Sequence, residues 1–388
     1  MAGKLDAAAL LAEAKAATGL TDWGDPTLPE RFALAVDQIN ASGMDADGMA
    51  IAADLCGTML TTRLNFFEDR KRYPVDAEVI DRPMFATGEP RSGTTLMHAL
   101  MSVDPGSRAL RFWEVAYPSP PPGIAGPDDA RKAKADEEWS EVNRQLRSWL
   151  KAHPYNDMLG DGLPECERTW SFDFRVMTPD AWLLMPMHAV ITELPPDDLA
   201  QYQLHRMMLQ QLQFRRPEKR WVLKGFHGFR LESLFKVYPD AKIVWLHRDP
   251  VQVAASCTMM MHHIYDGILK IDLLDETRQN IARVRASVAN TMSNPFVDDP
   301  RVYHLRYRDF VRDPIESVRG YFEFCDRDLS GEGEAAMRGY LAANPADRHG
   351  KFEYSTQLLT DIGEDLEALH EEFRPYRERF GVERENRS

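Results

Sequence analysis

A chain of 388 residues, 44% hydrophobic and 28% charged, carries enough apolar material for a large core in one domain or two. Its formal net charge of −14 argues against a general nucleic-acid or anionic-membrane binder, because such proteins need a broad excess of Lys and Arg to displace counterions. A phosphate site here must be locally basic within an acidic protein.

The opening, Met1 to Asp6, and the Ala-rich stretch after it lack the basic-then-apolar pattern of a secretory signal. No run approaches the roughly 18 apolar residues needed to span a bilayer, so a cytoplasmic protein without integral membrane association is expected. Cys56, Cys166, Cys257 and Cys325 are scattered and form no CxxC pair, which predicts reduced, mostly buried thiols rather than a disulfide frame or a zinc site.

In chain order, Leu5 to Tyr73 reads as helices, with Asp6 as a cap and apolar residues at helical spacing from Asp47 to Arg72. Residues 1–80 are therefore expected to be a helical N-terminal extension packed on a main domain of residues 81–388. At Arg82-Pro-Met-Phe-Ala-Thr-Gly88 the pattern changes to a short apolar run ending in glycine, a buried strand entering a loop. A helix starts at about Leu96. Tyr117 to Pro127 is rich in proline and reads as a linker, since proline lacks the amide hydrogen that a helix or sheet uses. A charged helix from Asp128 to Ala152 follows, giving a helical insertion near 126–152. Arg220 to Lys224 and Lys242 to His247 are further strand candidates, each followed by a helical segment, and Arg301 to Leu305 is one more. Strand, helix, strand, helix implies an α/β fold with a mostly parallel central sheet.

Gly88-Glu-Pro-Arg91-Ser92-Gly93-Thr94-Thr95 stands between a strand and a helix, the setting of a phosphate cradle: backbone amides point inward and the positive end of the helix dipole faces the anion. Gly93 allows close backbone approach, and the hydroxyls of Ser92, Thr94 and Thr95 add donors. The usual nucleotide-triphosphate loop has Lys where this chain has Thr94; the cation has moved upstream to Arg91, whose guanidinium suits a tetrahedral oxyanion. A second candidate site follows the Lys242 to His247 segment. There Arg248 closes the strand and Ser256 lies eight positions later, two helical turns on.

The segment Pro90 to Thr95 resembles the 5′-phosphosulfate loop of the sulfotransferase superfamily, and Arg248 with Ser256 resembles its 3′-phosphate element. The segment Asp347 to Ser355, with Arg348-His349-Gly350 at its start, is similar to the loop that closes over the nucleotide. The pattern is most like the bacterial branch related to tyrosylprotein and glycan sulfotransferases. The resemblance implies a P-loop-like three-layer fold and 3′-phosphoadenosine 5′-phosphosulfate as cosubstrate, with no metal. It also implies a small-molecule, glycan or lipid acceptor bearing a hydroxyl or amine.

Sulfuryl transfer needs an aligned nucleophile, neutralised oxygens and removal of a proton. Lys224 resembles the superfamily's transition-state lysine near the bridging oxygen, with Arg91 as a second cation. Two bases compete. Glu114 lies about as far beyond Thr95 as the catalytic glutamate of tyrosylprotein-type enzymes, and a carboxylate beside Trp113 can have its proton affinity raised by burial. His227 lies three residues after Lys224, where cytosolic sulfotransferases have a histidine two residues after theirs. A phosphate-loop kinase or NTPase and a catalytically silent nucleotide-binding protein are the rival readings. The acceptor's identity and the oligomeric state, a homodimer included, stay open.

Overall fold

The apolar run before Gly88 forms a buried strand, β1 (Met84–Gly88). In this computed structural model residues 4–41, 46–126, 129–145, 148–152, 154–175, 197–265, 272–345 and 347–385 are described. Asp128, the expected start of the charged helix, lies outside them. β2 (Ser107–Arg108), β3 (Arg220–Lys224), β4 (Lys242–His247) and β5 (Val302–Arg306) complete a five-stranded sheet in the order β2-β3-β1-β4-β5. Every pairing is parallel, which makes the fold α/β with a central parallel sheet. β1, β3 and β4 are buried almost throughout because neighbouring strands and helices cover both faces, and this is why they read as continuous apolar runs. At the edge, β5 buries Val302 and Leu305 and leaves His304 and Arg306 exposed.

Two compact units divide the chain. The first comprises Met1–Ile80, Leu110–Trp139 and Leu159–Glu218; the second comprises Asp81–Ala109, Ser140–Met158 and Lys219–Ser388. The N-terminal 80 residues thus group with two later stretches of chain. In the first unit, helices Ala7–Thr18, Leu28–Ala41 and Ala46–Arg72 account for the N-terminal part. Asp6 caps the first of them, its side chain accepting from the Ala8 and Ala9 amides. Arg31, Arg63 and Arg175 converge on the buried Asp173 carboxylate, tying the second and third helices to the turn Cys166–Asp173. Within the expected linker, Pro122–Ala125 forms a helical turn, because proline at the first helical position gives up only an amide that has no partner there.

In the same unit, His205 is fully buried on helix Asp198–Gln213, and burial lowers its pKa from 6.5 to about 3. Below pH 6.5 the unfolded chain binds a proton that the native chain refuses, so this group costs stability as pH falls toward its folded value. Between pH 6.5 and 5, the wild type is expected to lose up to about 1.4 kcal/mol per pH unit more than His205→Gln. Denaturant titrations of both proteins check this, and parallel pH profiles would contradict it.

The second unit contains the sheet. Helix Thr94–Val103 packs on β1 and β3, starting two residues earlier than the apolar pattern indicates because the glycine loop leads straight into it. Helices Pro250–Tyr265 and Leu273–Ser293 pack together through Val251, Ala254, Ala255, Ile281 and Val284. Among the described residues, no helix is long and apolar enough to cross a membrane.

Candidate active site

The parallel register decides where the site lies. β3, β1 and β4 are neighbours, with Ala86 opposite Lys224 and Gly88 opposite Leu246, so the glycine loop, Lys224 and Arg248 all emerge at the carboxyl ends of adjacent strands. Ligands of open parallel sheets bind at these ends, where helix N-termini and loops converge.

The loop after β1 is held by its own backbone. The Glu89 carbonyl accepts from the Ser92 amide at 3.1 Å and from the Ser92 hydroxyl at 2.6 Å. Gly88 has φ +154°, and a Cβ there would stand 2.6 Å from the Leu246 carbonyl oxygen, so only glycine fits. Arg91 has φ +68°, a left-handed conformation that a non-glycine residue adopts at a cost of about 1–3 kcal/mol and that recurs at ligand clamps. The loop then enters helix Thr94–Val103 through Gly93.

Arg91 Nε donates to the Ser256 hydroxyl at 3.2 Å, and Arg248 Nη1 donates to the Arg91 carbonyl at 2.7 Å. The two candidate anion elements, more than 150 residues apart in sequence, therefore form one cluster. Ser256 is wholly buried on helix Pro250–Tyr265, and Arg248 is 4% exposed. Burial acts to lower the proton affinity of Arg248, but hydrogen bonding to Glu385 and the charge interactions with Tyr307, Glu385 and Tyr354 together outweigh it, so the guanidinium is held above its ordinary range. Burial lowers the proton affinity of Arg91, partly offset by Cys257.

Two residues of this cluster, Tyr307 and Glu385, escaped the sequence reading, and two more, Phe352 and Tyr354, lay in the expected closing loop without a role assigned to them. The Arg91 guanidinium lies 4.2 Å from the Phe352 ring centroid, and that of Arg248 lies 4.2 Å from the Tyr307 ring. Arg248 Nη2 also donates to the Tyr354 hydroxyl at 2.7 Å, and Glu385 pairs with Arg248. Tyr307 directly follows β5, so its position at a parallel strand's carboxyl end was a usable signal; Glu385, in a charged tail, carried none.

Lys224 is buried at the end of β3, its Nζ 3.2 Å from the Thr95 hydroxyl in the first turn of the loop's helix. His227 is fully buried, with its amide donating to the Thr87 hydroxyl at 2.9 Å and its ring meeting the Phe85 ring edge-on at 4.9 Å. Arg348 and His349 both engage Asp157, at 2.7 and 2.8 Å, while Phe352 and Tyr354 of the same loop meet the arginine cluster. Gly350 takes φ +98° in the turn between them. In the first unit, Glu114 is buried on helix Phe112–Ala116, 3.7 Å from the Arg216 guanidinium.

Comparison with known proteins identifies the family. Residues 83–331 match the model of the sulfotransferase family. Curated relatives include the omega-hydroxy-beta-dihydromenaquinone-9 sulfotransferases Stf3 of Mycobacterium bovis and Mycobacterium tuberculosis, each 26% identical over 271 residues. The match spans 65% of this chain and 64% of the relatives' length. Among solved structures, sulfotransferase STF9 from Mycobacterium avium aligns with a TM-score of 0.81 at 27% identity, covering 98% of both chains. Sulfotransferase STF1 from Mycobacterium tuberculosis aligns with a TM-score of 0.71 at 25% identity, covering 96% of this chain and 99% of that one. With a family match running from β1 through both elements of the arginine cluster, the chain belongs to the sulfotransferase family.

Proposed function

We propose that this protein transfers the sulfuryl group of 3′-phosphoadenosine 5′-phosphosulfate to a hydroxyl or amine of a small-molecule, glycan or lipid acceptor. The observation that carries the reading is the Arg91–Ser256–Arg248 cluster beside Lys224: concentrated positive charge at the carboxyl ends of three adjacent strands in a chain of net charge −14. Backbone amides from Gly88 to Thr95, with the Ser92, Thr94 and Thr95 hydroxyls and Arg91, bind the 5′ end of the nucleotide. Arg248 and Ser256 take the 3′-phosphate. Arg348, His349 and Gly350 belong to the loop that closes over it, a role supported by the contacts that loop makes to both arginines.

In the reaction the acceptor oxygen loses its proton to Glu114 and forms a bond to sulfur. The bond between sulfur and the bridging oxygen breaks, and its electron pair leaves on the 5′-phosphate of adenosine 3′,5′-bisphosphate. Lys224 meets the charge developing on that oxygen. Burial of His227 against Phe85 supports giving it the turn after β3 rather than the proton. No metal enters this scheme, and Asp249 supports that reading over a magnesium-dependent kinase. Its two oxygens accept the Val251 amide at 3.2 Å and the Glu385 amide at 2.9 Å, so the residue serves as a backbone cap. All four cysteines are buried and none is in a disulfide, which supports a reducing, cytoplasmic setting. The Stf3 relatives carry an omega-hydroxy menaquinone in their name, so a hydroxyl on an apolar carrier is the first acceptor to supply.

Adenosine 3′,5′-bisphosphate is expected to raise the thermal midpoint without magnesium, where ATP with magnesium does not; the reverse response would establish the kinase reading. With an acceptor in hand, Glu114→Gln is expected to bind the bisphosphate like wild type and to turn over about 10²-fold or more slowly. Unchanged turnover would remove Glu114 from the role of base.

A further inference from the structure

The guanidinium of Arg248 has five N–H donors, and four are engaged within the protein. Nη1 donates to the Arg91 carbonyl and Nη2 to the Tyr354 hydroxyl, each at 2.7 Å. Nε and Nη2 donate to the two carboxylate oxygens of Glu385, each at 2.9 Å. That paired edge is the one with which arginine grips a tetrahedral oxyanion bidentately. A carboxylate from the end of the chain thus occupies the edge on which the 3′-phosphate would sit.

Glu385 is delivered there by a defined strap. Helix Arg374–Phe380 ends at Gly381 in the left-handed conformation, and the chain then turns back over the site. The Glu385 amide donates to Asp249 at 2.9 Å, and Gln252 Nε2 donates to the Glu385 carbonyl at 3.1 Å. Glu383 pairs with Arg308, and Arg384 with Glu367. Gly381 to Glu385 line one cavity of about 460 Å³ together with Arg248, Arg306 and Tyr307, so the strap borders open space beside the guanidinium.

We propose that Glu385 is an internal competitor for the 3′-phosphate subsite: it neutralises Arg248 in the absence of nucleotide, is displaced when nucleotide binds, and thereby sets donor affinity. The inference rests on the assignment of Arg248 to the 3′-phosphate. Stripping a buried guanidinium of its partner is strongly destabilising, whereas exchanging carboxylate for phosphate keeps the charge paired throughout. Any part of nucleotide affinity spent on displacing Glu385 is recovered when that carboxylate is removed.

Calorimetric titration of wild type, Glu385→Gln and Glu385→Ala with adenosine 3′,5′-bisphosphate and with adenosine 5′-phosphate tests this. Both variants are expected to bind the bisphosphate about tenfold more tightly and the 5′-phosphate unchanged. Equal or weaker bisphosphate binding by the variants, or an equal gain for the 5′-phosphate, overturns the competitor role while leaving the nucleotide assignment intact. No bisphosphate binding by any of the three proteins removes both. In the wild type, amide exchange at residues 382–385 is expected to quicken when the bisphosphate is added, a readout that needs no variant; unchanged or slower exchange also overturns the proposal.

Discussion

Lys224→Met is expected to lower kcat about 10²- to 10³-fold while leaving affinity for adenosine 3′,5′-bisphosphate within about twofold. Methionine keeps the length of the apolar stem that fills the buried end of β3 and removes only the charge, so a folding defect does not confound the result. The ammonium stands beside Thr95 at the helix start, where an oxygen leaving the sulfur on a 5′-phosphate would gather negative charge. Because that charge appears only as the bond breaks, its loss belongs in kcat rather than in binding. Lysine's compact charge is the relevant property, so Lys224→Arg is expected to recover little activity. Steady-state kinetics with calorimetry separates the two effects, and a Lys224→Met enzyme with wild-type kcat would end this assignment.

The second large effect is on binding. Arg248→Ala is expected to weaken adenosine 3′,5′-bisphosphate by roughly 10²- to 10³-fold, in line with the 2–5 kcal/mol typical of truncating a buried, hydrogen-bonded charge pair. Adenosine 5′-phosphate, which lacks the 3′ group, should lose far less. The alanine variant also strands the Arg91 carbonyl, the Tyr354 hydroxyl and Glu385, so some loss of thermal stability accompanies it. Arg248→Lys controls for this by keeping the charge without the bidentate fork, and an intermediate loss of about tenfold is expected. An equal loss for both nucleotides would show that Arg248 supports the fold of the site and does not read the 3′-phosphate.

The residues behind both predictions could be read before the structure. Lys224 and Arg248 each close an apolar run, and a basic residue at the end of a buried parallel strand points to the ligand edge of the sheet. Arg91 was equally legible, since a cation inside a glycine loop lacking the usual lysine has a specific chemical meaning. Ser256 was singled out by its helical spacing from Arg248; it stands on the helix Pro250–Tyr265, where its hydroxyl accepts from Arg91. The short strand Ser107–Arg108 was not legible, because two residues give no periodicity.

The sequence alone determined the elements whose signal is local. A run of buried side chains marks each central strand, a glycine needed for close backbone approach marks the anion loop, and apolar spacing marks the helices. Which strands lie side by side, and therefore that Arg91, Ser256 and Arg248 make one cluster, was decided by the pairing order β3-β1-β4. The same holds for Asp157 beneath Arg348 and His349, for Phe352 and Tyr354 on the arginines, and for Glu385 on Arg248. Such contacts join segments from about 100 to 260 residues apart, and their partners are chosen by burial and charge pairing in three dimensions, which no window along the chain contains.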